Sequence, residues 1–210
     1  MSMDAFTDHW VERFSDVYDE ERLSEICWVT GSVNPAVQGL VIDQVVPRGS
    51  RLVDLGCGPG VHAVFFAQHG MDVTAVDRST AALARGRELA AFYGAEVTFL
   101  EGDILDVPVA DASADVVHDS FVYHNVRPEV RERYVAEVAR VVRPGGLAVL
   151  TEFSDRMTPG TGPLRLTSDD MLLPWLEHFE VDELRRFRSL PTEKRPDQWH
   201  WLAVYRRRGA

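Results

Sequence analysis

The chain's densest chemistry lies in Val53-Asp54-Leu55-Gly56-Cys57-Gly58-Pro59-Gly60, where glycines alternate with other residues directly after an apolar run. Glycine lacks a Cβ, so such a loop reaches backbone angles closed to other residues and lets a ligand lie against the main chain. A plain tight turn uses the same residues, so the loop by itself decides little. Two acids follow, each at the end of a later apolar run: Asp77, with Arg78 beside it, and Asp103 within Gly102-Asp103-Ile104. A carboxylate in the first place can accept hydrogen bonds from both hydroxyls of a ribose held over the glycine loop. One in the second can accept from an adenine amino group while Ile104 packs on the ring. Each acid alone reads equally well as a loop carboxylate or a helix cap, but their succession at strand ends points to a nucleoside.

A dinucleotide would demand Gly-x-Gly-x-x-Gly, with phosphate against a helix N-terminus. Here the third position of that pattern is Val61, and Asp54 lies close to the loop. A carboxylate there is awkward for a pyrophosphate. It suits a ligand with an amino group and a sulfonium, as in S-adenosylmethionine and, after methyl transfer, its product S-adenosylhomocysteine. Methyl transfer from a sulfonium is an in-line displacement in which the protein mainly positions the partners, and a base is needed only for a protonated acceptor. Asp119 and His124 are the candidates, histidine because it titrates in the useful range. Both also have plain structural readings, as a turn carboxylate and a hydrogen-bonded core histidine.

These residues must be held by regular elements. Trp10, Phe14, Val17 and Tyr18 recur at helical spacing, and Asn34 with Pro35 opens a second helix over Val37, Leu40, Val41 and Val45. From residue 51 the pattern alternates: strands over 51–55, 73–76, 96–100, 115–119 and 147–153, and helices over 61–69, 80–93 and 128–142. Ser79 caps the second of these helices, Gly94 stops it, and Arg143-Pro144-Gly145-Gly146 reads as a turn. Apolar segments at 179–184 and 199–205 can close the sheet as a hairpin-like pair. Such alternation implies an α/β fold with a mainly parallel sheet and helices on both faces. Ser154 to Ser168, with Pro159, Gly160, Gly162 and Pro163, is the longest connection and, with the first helix, is expected to act as a lid.

With 210 residues, 45% of them hydrophobic and 26% charged, the chain is an ordinary globular protein. A net charge of -11 works against nucleic acid and anionic membranes as partners, leaving a small molecule as the expected acceptor. Arg206-Arg207-Arg208 reads as a solvated tail. No apolar run reaches membrane-spanning length, and Met1-Ser2-Met3-Asp4 lacks a secretory pattern, so a cytoplasmic protein is expected. Cys27 and Cys57 form neither a disulfide framework nor a metal cluster, and no metal is expected.

Taken together, Asp54-Leu55-Gly56-Cys57-Gly58-Pro59-Gly60, Asp77, Gly102-Asp103 and Arg143-Pro144-Gly145-Gly146 resemble class I S-adenosylmethionine-dependent methyltransferases over roughly residues 50 to 153. The resemblance implies a Rossmann-like, doubly wound sheet of order 3-2-1-4-5-7-6 with the last strand antiparallel. It implies one methyltransferase domain over 1-210: a helical cap at 1-49, a cofactor-binding core at 50-153, and an acceptor-side segment at 154-210 that closes the sheet. By the same resemblance Asp54, Gly56, Cys57, Gly58 and Gly60 hold the methionine part, Asp77 and Arg78 the ribose side, Asp103 and Ile104 the adenine, and Asp119 and Ser120 border the cofactor. Tyr18, Trp28, Tyr123 and Phe153 are expected to line an acceptor pocket, with core packing as the alternative. His118 is expected to point into the sheet.

Asp119, His124-Asn125-Val126-Arg127-Pro128, Phe153-Ser154-Asp155 and Gly162-Pro163, with Trp28 and Pro35, are similar to small thiol methyltransferase-like proteins, including the thiopurine and tellurite-resistance types. The chain departs from that subgroup in carrying Phe121 and Val122 where it has small residues or cysteine. Asp119-Ser120-Phe121-Val122 does not match the Asn/Asp-Pro-Pro-aromatic segment of amino-methylating DNA enzymes, and the paired-glutamate loop of protein arginine methyltransferases is missing. The expected activity is methyl transfer to a sulfur, oxygen or nitrogen of a small molecule by a monomer or homodimer. The alternatives are a silent S-adenosylmethionine-binding protein or an enzyme acting on protein or nucleic acid.

Overall fold

The computed structural model describes residues 16–26, 28–29, 31–157, 164–189 and 198–209. Trp10 and Phe14 of the expected first helix, Cys27, and residues 158–163 of the long connection lie outside them. The chain divides into two compact units, Met1–Pro108 and Val109–Ala210.

In the first unit, β1 (Arg51–Leu55), β2 (Asp72–Asp77) and β3 (Val97–Glu101) pair in parallel, with Asp54 beside Ala75 and Asp77 beside Glu101. Helices α3 (Val61–Gln68) and α4 (Thr80–Tyr93) make the crossovers. The boundaries of α4 follow from its ends: the Ser79 side chain accepts the Ala82 N–H, and Gly94 closes the helix in the left-handed region at φ 61. Ahead of the sheet come a helical stretch at 16–20 (α1) and α2 (Pro35–Ile42), where the Asn34 side chain caps the Ala36 N–H as its position before proline foretells.

The second unit holds β4 (Ala114–Ser120), β5 (Val142–Phe153), β6 (Phe179–Arg188) and β7 (Trp199–Arg207), with α5 (Arg131–Val141) and the short α6 (Ser168–Leu172). β4 and β5 are parallel, while β7 runs antiparallel to both β5 and β6. The seven strands form one sheet in the order β3-β2-β1-β4-β5-β7-β6, as the resemblance implies. His118 is fully buried in β4.

Two local expectations need correction. The helix read from residue 128 begins as a 3-10 turn at Pro128–Val130 and becomes α-helical only at Arg131. The turn read at Arg143-Pro144-Gly145-Gly146 lies inside β5: Ala114 pairs with Val142 and Val116 with Leu147, so the intervening residues bulge from one continuing ladder. A Cβ on Gly146 would sit 2.7 Å from the Asp115 carbonyl oxygen, so glycine is what allows the ladder to resume.

Candidate functional site

In the first unit the glycine loop is tied to the end of β2. Cys57 N–H donates to the Val76 carbonyl at 3.0 Å, and Gly58 N–H to Asp77 Oδ2 at 2.8 Å. The other Asp77 oxygen accepts the Ser79 N–H at 2.9 Å. One carboxylate therefore fixes both the loop and the start of α4. Gly58 and Gly60 adopt φ of 53 and 74, the region that side chains rarely enter, and Gly60 is the N-cap of α3. Asp54 is buried beneath the loop.

Over Gly58 stands Tyr18, whose hydroxyl would lie 2.9 Å from a Cβ placed there. Trp28 Nε1 donates to that hydroxyl at 2.8 Å, and the two rings meet edge to face with centroids 6.2 Å apart. Val17, Tyr18 and Ile26 pack with Ala82 of α4, which anchors this N-terminal piece beside the loop. Burial raises the Asp77 pKa, its two N–H donors opposing the rise. Burial pushes the Tyr18 hydroxyl above its ordinary range, so it is neutral at physiological pH. The Cys57 thiol is likewise pushed up, by burial and then by Asp54, which leaves it a poor nucleophile.

Asp54, Gly56, Cys57, Gly58, Gly60, Asp77, Tyr18 and Trp28 thus come together. Gly102 joins them through its N–H, which donates to the Asp77 carbonyl at 3.1 Å. A Cβ on Gly102 would meet Pro108 at 2.5 Å. Asp103 is exposed and accepts the Leu105 N–H at 2.8 Å, and Ile104 is half-buried. Arg78 points to solvent.

The second unit carries a buried acid-histidine cluster at the carboxyl ends of β4 and β5. Asp119 and Glu152 are both fully buried. Asp119 accepts the Val122 N–H at 2.9 Å, the Tyr123 N–H at 3.1 Å and the Tyr134 hydroxyl at 2.6 Å. Glu152 accepts the N–H groups of Tyr123 at 3.1 Å and His124 at 3.2 Å, and lies 2.5 Å from His124 Nδ1. Burial, and then the neighbouring Glu152, holds Asp119 well above the usual carboxylate range. Glu152 is pushed up to about 8 by burial, against the pull of its hydrogen bonds.

Phe153 stacks on His124 with the rings 4.2 Å apart and 5° from parallel, and Phe121 and His200 border Phe153 at 5.3 and 5.6 Å. Phe121 holds φ of 67, an uncommon conformation for a bulky residue, while its N–H donates to the Thr151 carbonyl and its carbonyl accepts from Asn125. The Ser120 and Thr151 hydroxyls meet at 3.0 Å. Tyr123 points into a core of Tyr134 and Trp175, its hydroxyl donating to the Asp170 carbonyl at 3.1 Å.

The structure brings Asp119, His124 and Phe153, singled out from the sequence, into one cluster with Glu152, Tyr134, Phe121 and His200, which sequence reasoning did not place beside them. For Glu152 the only available signal was an acid inside an otherwise apolar strand, a residue type rarely buried without a partner.

Residues 52–146 match the family described as a methyltransferase domain. The chain is 38% identical over 115 residues to a demethylmenaquinone methyltransferase of Beutenbergia cavernae, covering 55% of this chain and 44% of that protein. It spans about half the length of the curated relatives it matches. Among solved structures, one described as "Conversion of a Disulfide Bond into a Thioacetal Group during Echinomycin Biosynthesis" aligns with a TM-score of 0.82 at 24% identity, over 95% of this chain and 93% of that one. A Burkholderia thailandensis 1,6-didemethyltoxoflavin-N1-methyltransferase, solved with bound 1,6-didemethyltoxoflavin and S-adenosylhomocysteine, aligns with a TM-score of 0.75 at 18% identity, over 100% of this chain and 92% of that one. The fold is that of Rossmann-like S-adenosylmethionine-dependent methyltransferases, and the matching segment contains the glycine loop, Asp77 and Asp103. These relatives support the broad class and do not single out the thiol methyltransferase-like subgroup.

Proposed function

We propose that this protein transfers the methyl group of S-adenosylmethionine to a heteroatom of a small-molecule acceptor. The observation that carries the reading is the joint between the glycine loop and β2, where one Asp77 carboxylate holds Gly58 and Ser79 by their N–H groups. Each carboxylate oxygen keeps a further lone-pair direction for a ribose hydroxyl. The bound cofactor supplies an electrophilic methyl group already activated by the sulfonium charge. Asp54, buried under the loop, offers the negative potential that an amino group and a sulfonium require. Ile104 and Asp103 are assigned the adenine, and Tyr18 with Trp28 the cover over the loop. Asp119 and Ser120 end β4 on the acceptor side, where His124 is assigned the base and Phe153 a wall against the acceptor.

The test combines binding and turnover. Calorimetry is expected to show binding of S-adenosylmethionine and S-adenosylhomocysteine but not of NAD or FAD. Methyl-labelled cofactor with a panel of phenols, thiols and amines is expected to give a labelled small-molecule product. Binding of NAD alone would overturn the cofactor; tight S-adenosylhomocysteine binding without transfer to the panel or to a cell extract would favour a silent binder.

A further inference from the structure

Glu152, to which the reading above gives no role, is a fully buried acid at the end of β5 whose side chain reaches three groups of one short segment. Its oxygens accept the Tyr123 and His124 backbone N–H groups and face His124 Nδ1 at 2.5 Å. A buried carboxylate is costly, so a residue that puts both oxygens on the Tyr123–His124 segment while also hydrogen-bonding Asp119 calls for a reason beyond packing. The imidazole is held on its flat side as well, by Phe153 stacked at 4.2 Å. Backbone anchoring, ring stacking and the Nδ1 contact together leave His124 little freedom to turn.

We infer that Glu152 is the positioning residue for His124, fixing its proton on Nδ1 so that Nε2 acts as the base for an acceptor whose reacting group is a phenolic O–H. This rests on the methyl-transfer reading above. A thiolate or a free amine reacts without a base, whereas a phenol must lose its proton. The O–H proton passes to His124 Nε2. The freed oxygen pair forms the bond to the methyl carbon as the carbon–sulfur bond breaks, with its electron pair going to sulfur. The resulting imidazolium is paired with the Glu152 carboxylate, and its extra proton leaves to water. The positioning hydrogen bond is the kind that sets a histidine's tautomer, since which ring nitrogen holds the proton follows from the partner of the other.

The groups around Glu152 fit this role. Asp119 from β4 shares its buried site and is itself bonded by the Tyr134 hydroxyl of α5. Tyr123 stands on the same turn as His124, with Arg131 above its ring, and Tyr205 of β7 lies within electrostatic reach. Burial pushes Glu152 up to about 8, so its carboxylate form is available to His124 Nδ1 mainly in mildly alkaline solution.

Two measurements test the assignment. In ligand-free protein at about pH 9, nitrogen-15 spectra of the histidine rings are expected to show His124 as the Nδ1–H tautomer, and Glu152→Gln is expected to lose that preference. An Nε2–H tautomer in the wild type overturns the proposal. With hydroquinone as acceptor and labelled S-adenosylmethionine, Glu152→Gln is expected to lower kcat about a hundredfold and move the acidic limb of the pH profile towards that of an ordinary histidine, about pH 6.5. S-adenosylhomocysteine affinity is expected to stay within about twofold, which confirms folding and separates this outcome from failure of the methyl-transfer reading, where no such binding occurs. In a His124→Asn background the same Glu152 change is expected to cost less than about threefold, because the two residues act as one. An equal cost in both backgrounds, an unshifted pH profile, or no transfer to hydroquinone by protein that binds S-adenosylhomocysteine overturns it.

Discussion

Asp77 shows how one side chain can serve structure and ligand together. Its oxygens hold the glycine loop through Gly58 and the start of α4 through Ser79. Replacing it with alanine removes both anchors along with the acceptors assigned to the ribose, and charge-assisted bonds of this kind are worth about 1.5 to 3 kcal/mol. Asp77→Ala is therefore expected to weaken S-adenosylhomocysteine binding by roughly ten- to a hundredfold in calorimetry. Any substitution at His124 is expected to matter much less for that affinity. Equal affinities for wild type and Asp77→Ala would contradict the assignment. Asp77 was legible in the sequence because it ends an apolar run just after a glycine loop, so order along the chain maps onto successive strand ends. Glu152 was not. Its partners Asp119 and His124 lie on another strand and turn, and only the parallel pairing of β4 with β5 brings them together.

At the level of elements, the packing of α4 on β3 turns on Phe99. A Cβ on Gly86, in the middle of α4, would sit 2.5 Å from the Phe99 ring, and one on Gly60 would sit 3.0 Å from the same ring. An exposed helical glycine changed to alanine normally gains about 1 kcal/mol. Here the gain is opposed by overpacking, which typically costs about 1 to 3 kcal/mol, because the buried ring has no flexible end to move aside. Gly86→Ala is expected to lower the thermal midpoint, and Phe99→Leu in the same chain to recover part of the loss. A raised midpoint for Gly86→Ala alone would show that the ring yields freely. The sequence marked the limits of α4 through Ser79 and Gly94 but was silent on Gly86, since the reason for that glycine lies in a neighbouring strand. The same blindness explains Arg143-Pro144-Gly145-Gly146. Turn residues announce a break in direction, and only the Ala114 and Val116 pairings show that the ladder resumes after it.

For the whole molecule, buried acids set how stability responds to pH. Glu152 is pushed up to about 8 by burial, Asp119 is raised by burial and by Glu152, and Asp77 is raised by burial. In the unfolded chain such groups ionise at about 4. Between those limits the native state holds protons that the unfolded state has released, so stability falls as pH rises. The contribution is complete below about pH 4 and is lost as pH passes through about 8 for Glu152. Asp170 acts in the opposite sense: burial pushes it up, but the Thr167 hydroxyl and N–H and the Arg131 guanidinium hold it below the usual carboxylate range. Its stabilisation is present above the unfolded value and disappears as pH falls through the folded one. The two senses together place the stability maximum of the ligand-free protein near the unfolded carboxylate value, at about pH 4, with a thermal midpoint that declines from there through about pH 5 towards about pH 8. The net charge of -11 at pH 7 adds repulsion that also grows with pH, so the slope alone does not identify its source. Glu152→Gln separates them, because it removes one raised acid and leaves the remaining surface charge as it was. The variant is expected to show a shallower decline over the same range, measured by thermal unfolding at fixed ionic strength. A wild-type midpoint that climbs from about pH 5 to about pH 8, or parallel curves for the two proteins, would mean that Glu152 is already ionised in the native state across that range.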